Sequence, residues 1–207
     1  MKKVVIVGAG ALGSHVAQFL RNEAELKVID FDRVEQKNVL AQFHARPAIG
    51  KNKAEALKQA MQFNWGLKIH AVPHKLTKDN ASQLLGGTSA TNDCQLIIDC
   101  LDNGEARRII QQYVRYKDDN GQIQCGVDTL HGALAPGGDF GRVIWDEMFT
   151  IDDEAAGGAP TCEGGEFLPF IGIVAAYIAR AAQLFLADGT KTGFVVHPGG
   201  VMKVGVR

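Results

Sequence analysis

Three glycines with the spacing of a phosphate-binding turn follow the first apolar run of the chain. They are Gly8, Gly10 and Gly13, in the stretch VVIVGAGALGSHV. In such a GxGxxG turn the first glycine permits a tight turn, the second lets a phosphate approach the backbone, and the third lets a helix pack on a strand. The helix that follows offers free N–H groups and a positive dipole end to the phosphate. Because oxidoreductases and ATP-using enzymes both employ this turn, it leaves the nucleotide undecided.

Polar side chains beyond the second apolar run favour a nucleotide with a phosphate tail. Asp30 and Asp32 alternate at the end of that run, where an acid is expected to hold a ribose hydroxyl. Asn38 and Gln42 are four residues apart in a predicted short helix, which would put both amides on one face. Lys53 opens the next predicted helix. An oxidoreductase needs nothing polar here beyond its ribose acid, whereas a triphosphate needs amide donors and a cation.

A further carboxylate follows the fourth apolar run, in IIDCLDNGEARR. Asp102 and Asn103 lie just beyond Asp99, at the strand end that borders the ligand crevice of such folds. A carboxylate facing phosphates would repel them by about 4 kcal/mol per charge pair at 4 Å and an effective dielectric near 20. Mg²⁺ removes that repulsion, since it is held by one or two carboxylates plus substrate phosphates. Asp102 is therefore predicted to bind Mg²⁺ and Asn103 to line the site. Asp102 could also, or instead, cap the following helix.

These residues require an α/β fold, a doubly wound, Rossmann-like and mostly parallel sheet with an antiparallel extension at one edge. The first half of the chain alternates apolar runs with amphipathic segments, a rhythm that predicts right-handed βαβ units. After Gly126 the apolar runs are separated by turns, which predicts the antiparallel strands. Parallel strands are predicted at 4–7, 26–30, 67–72, 95–100 and 123–127, with helices at 14–21, 55–61 and 106–116.

Composition predicts one soluble cytoplasmic domain over residues 1–207, with a flexible crossover loop over 150–166. A net charge of −1 favours neither nucleic acid nor an anionic membrane as a partner. The four cysteines include no CxxC pair, so reduced thiols and no structural zinc are expected. The apolar stretch 167–187 contains Pro169 and Arg180, which favours a buried or subunit-interface helix over a membrane span.

Taken together, GxGxxG, DxDxVExxN with a glutamine four residues on, GxxK and DxxDNxxxR resemble the ThiF/MoeB/HesA family, bacterial relatives of ubiquitin-activating enzymes. The resemblance implies adenylation by ATP and Mg²⁺ of the C-terminal diglycine of a small ubiquitin-like, β-grasp carrier protein, by a homodimer. It implies these site residues: Gly8, Gly10 and Gly13 around the nucleotide, Asp30 on the ribose, Asn38, Gln42 and Lys53 along the phosphates, and Asp102 on Mg²⁺.

The resemblance also identifies Cys162 as a thiol that could receive the activated carboxylate. Its acidic neighbours favour the alternative, an unreactive loop thiol. Ala41 stands where the family has arginine, and no N-terminal arm precedes the first strand, so reduced activity is expected unless Arg33, Arg46 or Arg107 substitutes. Two other functions stay open: a non-catalytic half of a heterodimeric activating complex, and an NAD(P)-dependent oxidoreductase. The histidines show no ligand spacing and are assigned no role.

Overall fold

The structure, a computed structural model, describes residues 2–86, 94–117, 126–151 and 165–205. Within these ranges one sheet of eight strands runs in the order β3-β2-β1-β4-β5-β6-β7-β8. Strands β1 to β5 are parallel, and β6, β7 and β8 add on as antiparallel neighbours. The strands are β1 Lys3–Val7, β2 Glu25–Ile29, β3 His70–Val72, β4 Leu96–Asp99, β5 Asp128–Leu134, β6 Gly141–Trp145, β7 Thr192–His197 and β8 Gly200–Gly205.

Helices cover both faces of this sheet, so the prediction of a doubly wound α/β fold is confirmed. They are α1 Ala11–Phe19, α2 Lys53–Trp65, α3 Ala81–Leu85, α4 Gly104–Val114 and α5 Leu168–Asp188. Alternate residues of β1 face opposite cores, as the period of two in a strand requires. Val4 and Ile6 pack in the core with α1, α2 and α5, whereas Val5 and Val7 pack with α3 and α4. A strand buried on both faces needs a continuous apolar run, which β1 has.

The strand boundaries correct the prediction at two places. The fifth strand, predicted at 123–127, begins at Asp128 instead, where Asp128 pairs with Leu96 of β4. Residues 123–125 lie outside the described ranges, and Val127 precedes the strand. The error arose because β5 carries polar residues such as Thr129 and His131 at buried positions, so its apolar signal is weak. The third strand begins at His70 rather than at residue 67. The antiparallel edge extension is confirmed.

Helix α5 lies against the sheet. By length and composition this part of the chain, Gly165–Asp188, could span a membrane, and half of its most apolar window is buried in the protein. Val174 and Ile178 are fully buried, and they lie so close to the strands that side chains at Gly141 of β6 or Gly132 of β5 would collide with them. The expected buried helix is therefore confirmed for this face. Of the predicted loop 150–166, residues 152–164 lie outside the described ranges.

Two of the three glycines in the opening turn are required by close contacts. Gly8 has a φ of +95°, and a Cβ there would lie 2.9 Å from the carbonyl oxygen of Cys100. At Gly13 a Cβ would collide with the carbonyl oxygen of Gly8. A Cβ at Gly10, in contrast, meets nothing within 4 Å. Packing therefore explains Gly8 and Gly13 but leaves Gly10 without a packing reason.

Because packing requires a glycine at position 13 but not at position 10, the alanine variants of these two residues should differ in stability. Gly13→Ala should lower the free energy of unfolding by about 3 kcal/mol or prevent folding, because backbone must move to relieve the clash. Gly10→Ala should stay within about 1 kcal/mol of the parent chain, the range for an N-cap change. Urea denaturation followed by circular dichroism measures both. Equal losses in the two variants would contradict the assignment of separate roles to these glycines.

Candidate functional site

The register of the strands brings three loops together at one end of the sheet, beyond the carboxyl ends of β1, β2 and β4, which we call the edge of the site. Val7, the last residue of β1, pairs with Ile29 of β2 on one side and Asp99 of β4 on the other. The next residues continue this alignment, since the Gly8 amide donates to Ile29 O at 2.8 Å and the Cys100 amide donates to Val7 O at 2.8 Å. The glycine turn, the segment after β2 and the segment after β4 therefore leave the sheet together. This is the edge where α/β proteins of this kind bind ligands.

The glycine turn is connected to β2 through Asp30. The Ala9 amide donates to Asp30 Oδ2 at 2.6 Å, and the Asp32 amide donates to Asp30 Oδ1 at 2.8 Å. Burial raises the pKa of Asp30, while these backbone hydrogen bonds and the charge of Lys53 act in the opposite direction. Gly10 is the N-cap of α1 and faces open space, so the amides at this helix start remain accessible to an anion.

The start of α2 is attached to the end of β2. The Asn52 side chain caps α2 by accepting from the Glu55 amide at 3.1 Å, and it donates to Asp30 O at 2.8 Å. Lys53, only 8% exposed, lies in the first turn as predicted, and its Nζ is 3.2 Å from Asp32 Oδ2. The lysine thus lies at the predicted edge, in an ion pair with a half-exposed aspartate. Asn52 is a site-forming residue that the sequence reasoning missed.

The predicted short helix is present, but it includes Asn38 and not Gln42. A 3-10 helix spans Gln36–Leu40 and ends before Gln42. Asn38 Oδ1 accepts from the Glu35 amide at 2.8 Å, so this amide oxygen stabilises the helix start. Gln42 is buried, and its Oε1 has no hydrogen-bond partner among the residues that the structure describes.

Three side chains that the sequence reasoning left without a role hold residues 41–44 against the glycine turn. Ser14 Oγ accepts from the Phe43 amide at 2.9 Å, and His15 Nε2 lies 3.2 Å from Ala41 O. His44 Nε2 lies 2.8 Å from Ala9 O inside the turn itself. The sequence feature that pointed to Ser14 and His15 was their position directly after Gly13, the last glycine of the turn. No comparable spacing pointed to His44.

The segment after β4 has a fixed backbone and an exposed carboxylate. Asn103, not Asp102, is the N-cap of α4, since its Oδ1 accepts from the Ala106 amide at 2.8 Å. The alternative of Asp102 as the cap is therefore wrong, and its side chain is exposed at the edge of the sheet. The preceding residue is held on both sides: the Leu101 amide donates to Asp99 Oδ1 at 2.9 Å, and Arg107 donates to Leu101 O.

A buried polar network lies behind this segment. His131 of β5 is fully buried, with Nδ1 2.7 Å from Asp99 Oδ2 and Nε2 2.9 Å from Asp146 Oδ1. Arg107 Nη1 is 3.2 Å from Asp99 Oδ2, and Arg115 Nε donates to Asp146 Oδ2 at 2.6 Å. The Phe149 ring stacks on His131 at 4.2 Å between ring centroids. The network thus alternates in charge, from arginine to aspartate, histidine, aspartate and arginine, and is buried except for Arg115 at one end, which is exposed.

The electrostatics of this network favour a protonated His131. Burial alone would lower the pKa of His131, but the hydrogen bonds to Asp146 and Asp99 raise it. Burial likewise opposes ionisation of Asp99, yet Arg107 and His131 lower the pKa of that carboxyl. The pKa of Asp146 falls to about 2 because its hydrogen bonds to His131, Arg115 and Gln111 outweigh its burial. Two carboxylates and an imidazolium between them are the stable arrangement.

The remaining predicted residues divide into those the structure describes and one it does not. Of the three arginines that could replace the family arginine, Arg107 is buried in the network just described. Arg33 donates to Gly50 O at 2.7 Å, and Arg46 is exposed.

Cys162 lies outside the described ranges. Cys100, next to the glycine turn, is a buried thiol whose pKa is raised by burial. Across residues 2–86, 94–117, 126–151 and 165–205, no cluster of three or more His, Cys, Asp or Glu side chains could hold a metal ion.

Comparison with known proteins identifies the family of this chain. The model of the ThiF family matches residues 1–190, which include the whole edge described above. The chain belongs to the ThiF family. The resemblance to this family that the sequence motifs predicted is therefore confirmed over most of the chain.

Curated relatives of this ThiF-family chain are activating enzymes and adenylyltransferases. It is 32% identical over 148 residues to the sulfur carrier protein adenylyltransferase of Thermus thermophilus, covering 64% of this chain and 52% of that protein. It is 28% identical over 136 residues to the SAMP-activating enzyme E1 of Haloferax volcanii, covering 64% and 45%. With the adenylyltransferase and sulfurtransferase UBA4 of Lodderomyces elongisporus it shares 33% over 112 residues, 52% of this chain and 23% of that one. The chain thus spans about half or less of these relatives.

Solved structures support the same fold. Escherichia coli MccB with succinimide superposes with a TM-score of 0.73 at 15% identity, covering 99% of this chain and 63% of that one. A structure of PaaA gives a TM-score of 0.70 at 18% identity, covering 100% and 64%. At such identities the likeness concerns the fold.

The buried network of this ThiF-family chain predicts a pH-dependent stability. A pKa raised on folding means that protonated His131 stabilises the fold; this contribution is complete below the unfolded value of about 6.5 and declines as pH rises through the folded pKa. His131→Asn should cost about 3 to 5 kcal/mol near pH 6, because two buried carboxylates lose their shared partner. The cost should shrink at higher pH. Urea denaturation from pH 5.5 to 8.5 measures the difference between variant and parent.

The exposed His197 of β7 supplies the control. His197→Asn should change the stability little, because the ring is exposed and an asparagine oxygen can still accept from the Gly199 amide, which donates to His197 Nδ1 at 3.1 Å. A His131→Asn cost that is constant across this pH range would contradict a protonated His131.

Proposed function

We propose that this chain binds ATP with Mg²⁺ at the carboxyl edge of β1, β2 and β4 and adenylates the C-terminal diglycine of a small ubiquitin-like, β-grasp carrier protein. The observation that carries the proposal is the meeting of four features at this edge: an open helix start at Gly10, the Asp30 carboxylate, the buried ammonium of Lys53 and the exposed carboxylate of Asp102. The names of the matched relatives support the same chemistry.

In this proposal each residue at the edge has one task. Amides at the start of α1, from Gly10 onward, donate to phosphate oxygens while Gly8 and Gly13 shape the turn, and Asp30 accepts hydrogen bonds from the ribose hydroxyls. Asn38, Gln42 and Lys53 line the phosphates. Asp32 holds Lys53 in place until the nucleotide arrives, as their 3.2 Å ion pair allows. Asp102, beside Asn103, holds Mg²⁺ together with phosphate oxygens.

The reaction is a nucleotidyl transfer. A carboxylate oxygen of the carrier's terminal glycine attacks the α-phosphorus of ATP, the bond from that phosphorus to the bridging oxygen breaks, and pyrophosphate leaves. Mg²⁺ supplies charge neutralisation for the phosphate oxygens. This chain supplies orientation through a rigid turn and a positive charge through Lys53. Such positioning and charge stabilisation account for most of the catalysis in reactions of this type.

The residues present fit a magnesium ion held mainly by substrate. Mg²⁺ keeps several waters and binds through one or two carboxylates plus phosphates, so it does not need a protein cage. Asp102 offers one exposed carboxylate at the crevice edge, and the preceding Leu101 has both backbone polar atoms bonded. The carboxylate would thus meet the ion with little reorganisation.

A second function is favoured by one observation. Ala41 is uncharged, and Arg107 is committed to Asp99, so neither supplies the cation expected along the phosphates. A chain with this deficit could instead be the non-catalytic half of a heterodimeric activating complex, binding its partner without adenylating it. An NAD(P)-dependent oxidoreductase has no such support, because it leaves Lys53 and Asp102 without a task.

The same proposal includes the assembly and location of the protein. We propose a single domain working in the cytoplasm as a homodimer. Leu168 and Ile173 of α5 are 39% and 46% exposed, although the opposite face of that helix packs in the core. These apolar side chains are the surface that a second copy would cover.

Ligand-induced stabilisation tests the nucleotide proposal. Mg-ATP at 100 times its dissociation constant should stabilise the chain by about 2.7 kcal/mol, or roughly 5 to 10 °C in melting temperature for a domain of this size. ATP with a chelator, NAD⁺ and NADP⁺ should give smaller shifts. Asp102→Ala should lose the metal-dependent part of the shift, and Gly10→Ala should lose most of it, because its methyl group occupies the phosphate cradle. Differential scanning fluorimetry measures all of these.

Asp79→Ala is the matched control, since Asp79 is an exposed aspartate in the turn before α3. It should behave as the parent chain does. Stabilisation by NAD⁺ or NADP⁺ alone would refute ATP binding and favour an oxidoreductase. Binding of Mg-ATP without ATP–pyrophosphate exchange in the presence of a diglycine carrier would favour the non-catalytic half.

Cys162 provides a separate prediction about the step after adenylation. If its thiol receives the activated carboxylate, Cys162→Ser should keep ATP–pyrophosphate exchange but lose a thioester that dithiothreitol cleaves. Gel electrophoresis without reductant detects that adduct. Cys94→Ser is the control, because Cys94 is buried and should leave the adduct intact. A thioester that persists in Cys162→Ser would refute this role.

A further inference from the structure

His44 is a buried ring at the glycine turn that has one nitrogen bonded and one nitrogen without a partner. It is 7% exposed, and its Nε2 lies 2.8 Å from the carbonyl oxygen of Ala9. A carbonyl oxygen can only accept, so Nε2 carries the ring's proton. Nδ1 is buried and has no hydrogen-bond partner within the described ranges. Gln42, two residues earlier in the same loop, also has a buried oxygen without one.

Buried polar atoms of this kind call for an explanation. Native proteins satisfy nearly all of them, and exceptions occur where a ligand or ion completes the set. Here the atoms lie on the loop that Ser14, His15 and His44 hold against the proposed phosphate site. The ring therefore lies where a bound phosphate tail would be its neighbour.

The charges around His44 explain its state in the free protein. The pKa of His44 is lowered to about 4, chiefly by burial and also by electrostatic interaction with Lys53 and His15, which together outweigh the hydrogen bond to Ala9. Of the acids nearby, Asp30 accepts from Ala9 and Asp32 pairs with Lys53. The free ring is therefore neutral at pH 7. Phosphates bound at the turn would reverse this balance by adding negative charge next to the ring.

We propose that His44 takes up a proton when the nucleotide binds and that its Nδ1–H then donates to a phosphate oxygen, which makes His44 the second cation of the phosphate site beside Lys53. The inference rests on the proposed function. The proton comes from solvent, and no covalent bond of the nucleotide changes. The buried imidazolium supplies the positive charge that Ala41 cannot supply.

The sign of the pH dependence follows directly. A complex that holds one more proton than the free components weakens as pH rises, by up to tenfold per pH unit between the free and bound pKa values of the ring. Affinity for Mg-ATP should therefore decline as pH rises from 5 and level off once the pH exceeds the pKa of the ring in the complex.

Calorimetric titration of the parent chain with Mg-ATP near pH 6, in two buffers of different ionisation enthalpy, counts the protons taken up. His44→Gln keeps a side-chain N–H for Ala9 O but cannot titrate. The parent chain should take up about one proton more than this variant. Mg²⁺ is kept saturating in every titration. Any protons that the nucleotide itself binds or releases are then the same for the parent chain and the variant, and they cancel when the two uptakes are subtracted. His70→Gln is the matched control and should retain the uptake, because His70 is exposed at the start of β3, at the other end of the sheet.

A measurement on the parent chain alone guards against a misfolded variant. Nitrogen-15 NMR of the histidine rings should show His44 Nδ1 without a proton in the free protein at pH 6 and protonated in the complex. Equal proton uptake in parent and His44→Gln, or an unprotonated Nδ1 in the complex, would overturn this inference while leaving ATP binding intact. Failure of the parent chain to bind Mg-ATP at any pH would overturn the proposed function and the inference together.

Discussion

The hydrogen bond from the Ala9 amide to the Asp30 carboxylate, at 2.6 Å, is the constraint on which the site depends. It joins the glycine turn after β1 to the end of β2, and other contacts use the same two residues. Asn52 donates to Asp30 O and thereby fixes the start of α2, with Lys53 beside it. His44 bonds to Ala9 O and brings the 41–44 loop to the turn. These contacts converge on one small unit, so the glycine turn, the end of β2 and the start of α2 are joined by hydrogen bonds without any ligand.

The other half of the edge depends on buried charge. Asp99 ends β4 inside the protein, where an isolated carboxylate would be very unfavourable. Arg107 and His131 neutralise it, and Asp146 with Arg115 completes the network. The same residues hold the backbone on both sides of Leu101, next to Asp102. A buried ion network adds little net stability compared with an apolar core, but breaking it is costly, so it fixes one arrangement of this loop.

The two halves differ in how they respond to charge. In the network both buried carboxylates already have a cation, and their hydrogen bonds to His131 raise the pKa of that ring. In the glycine-turn half burial, together with the charge of Lys53, lowers the pKa of His44. One half therefore gives its histidine two carboxylate partners, whereas the other leaves His44 Nδ1 without a partner among the described residues. That asymmetry is what an anionic ligand at the turn would remove, and it gives the proposed nucleotide site a physical basis independent of the family.

The sequence by itself determined the fold class, the glycine turn and the positions of Asp30, Lys53 and Asp102 at strand and helix ends. These follow from local patterns: apolar runs fix strands, and polar residues directly after parallel strands must share one edge. Only the tertiary structure decided the start of β5, the end of the 3-10 helix before Gln42, and Asn103 as the cap of α4. It alone revealed His44 and the Asp99–His131–Asp146 network. Their partners lie 15 to 35 residues apart in the chain, and no local spacing encodes a contact over such a separation.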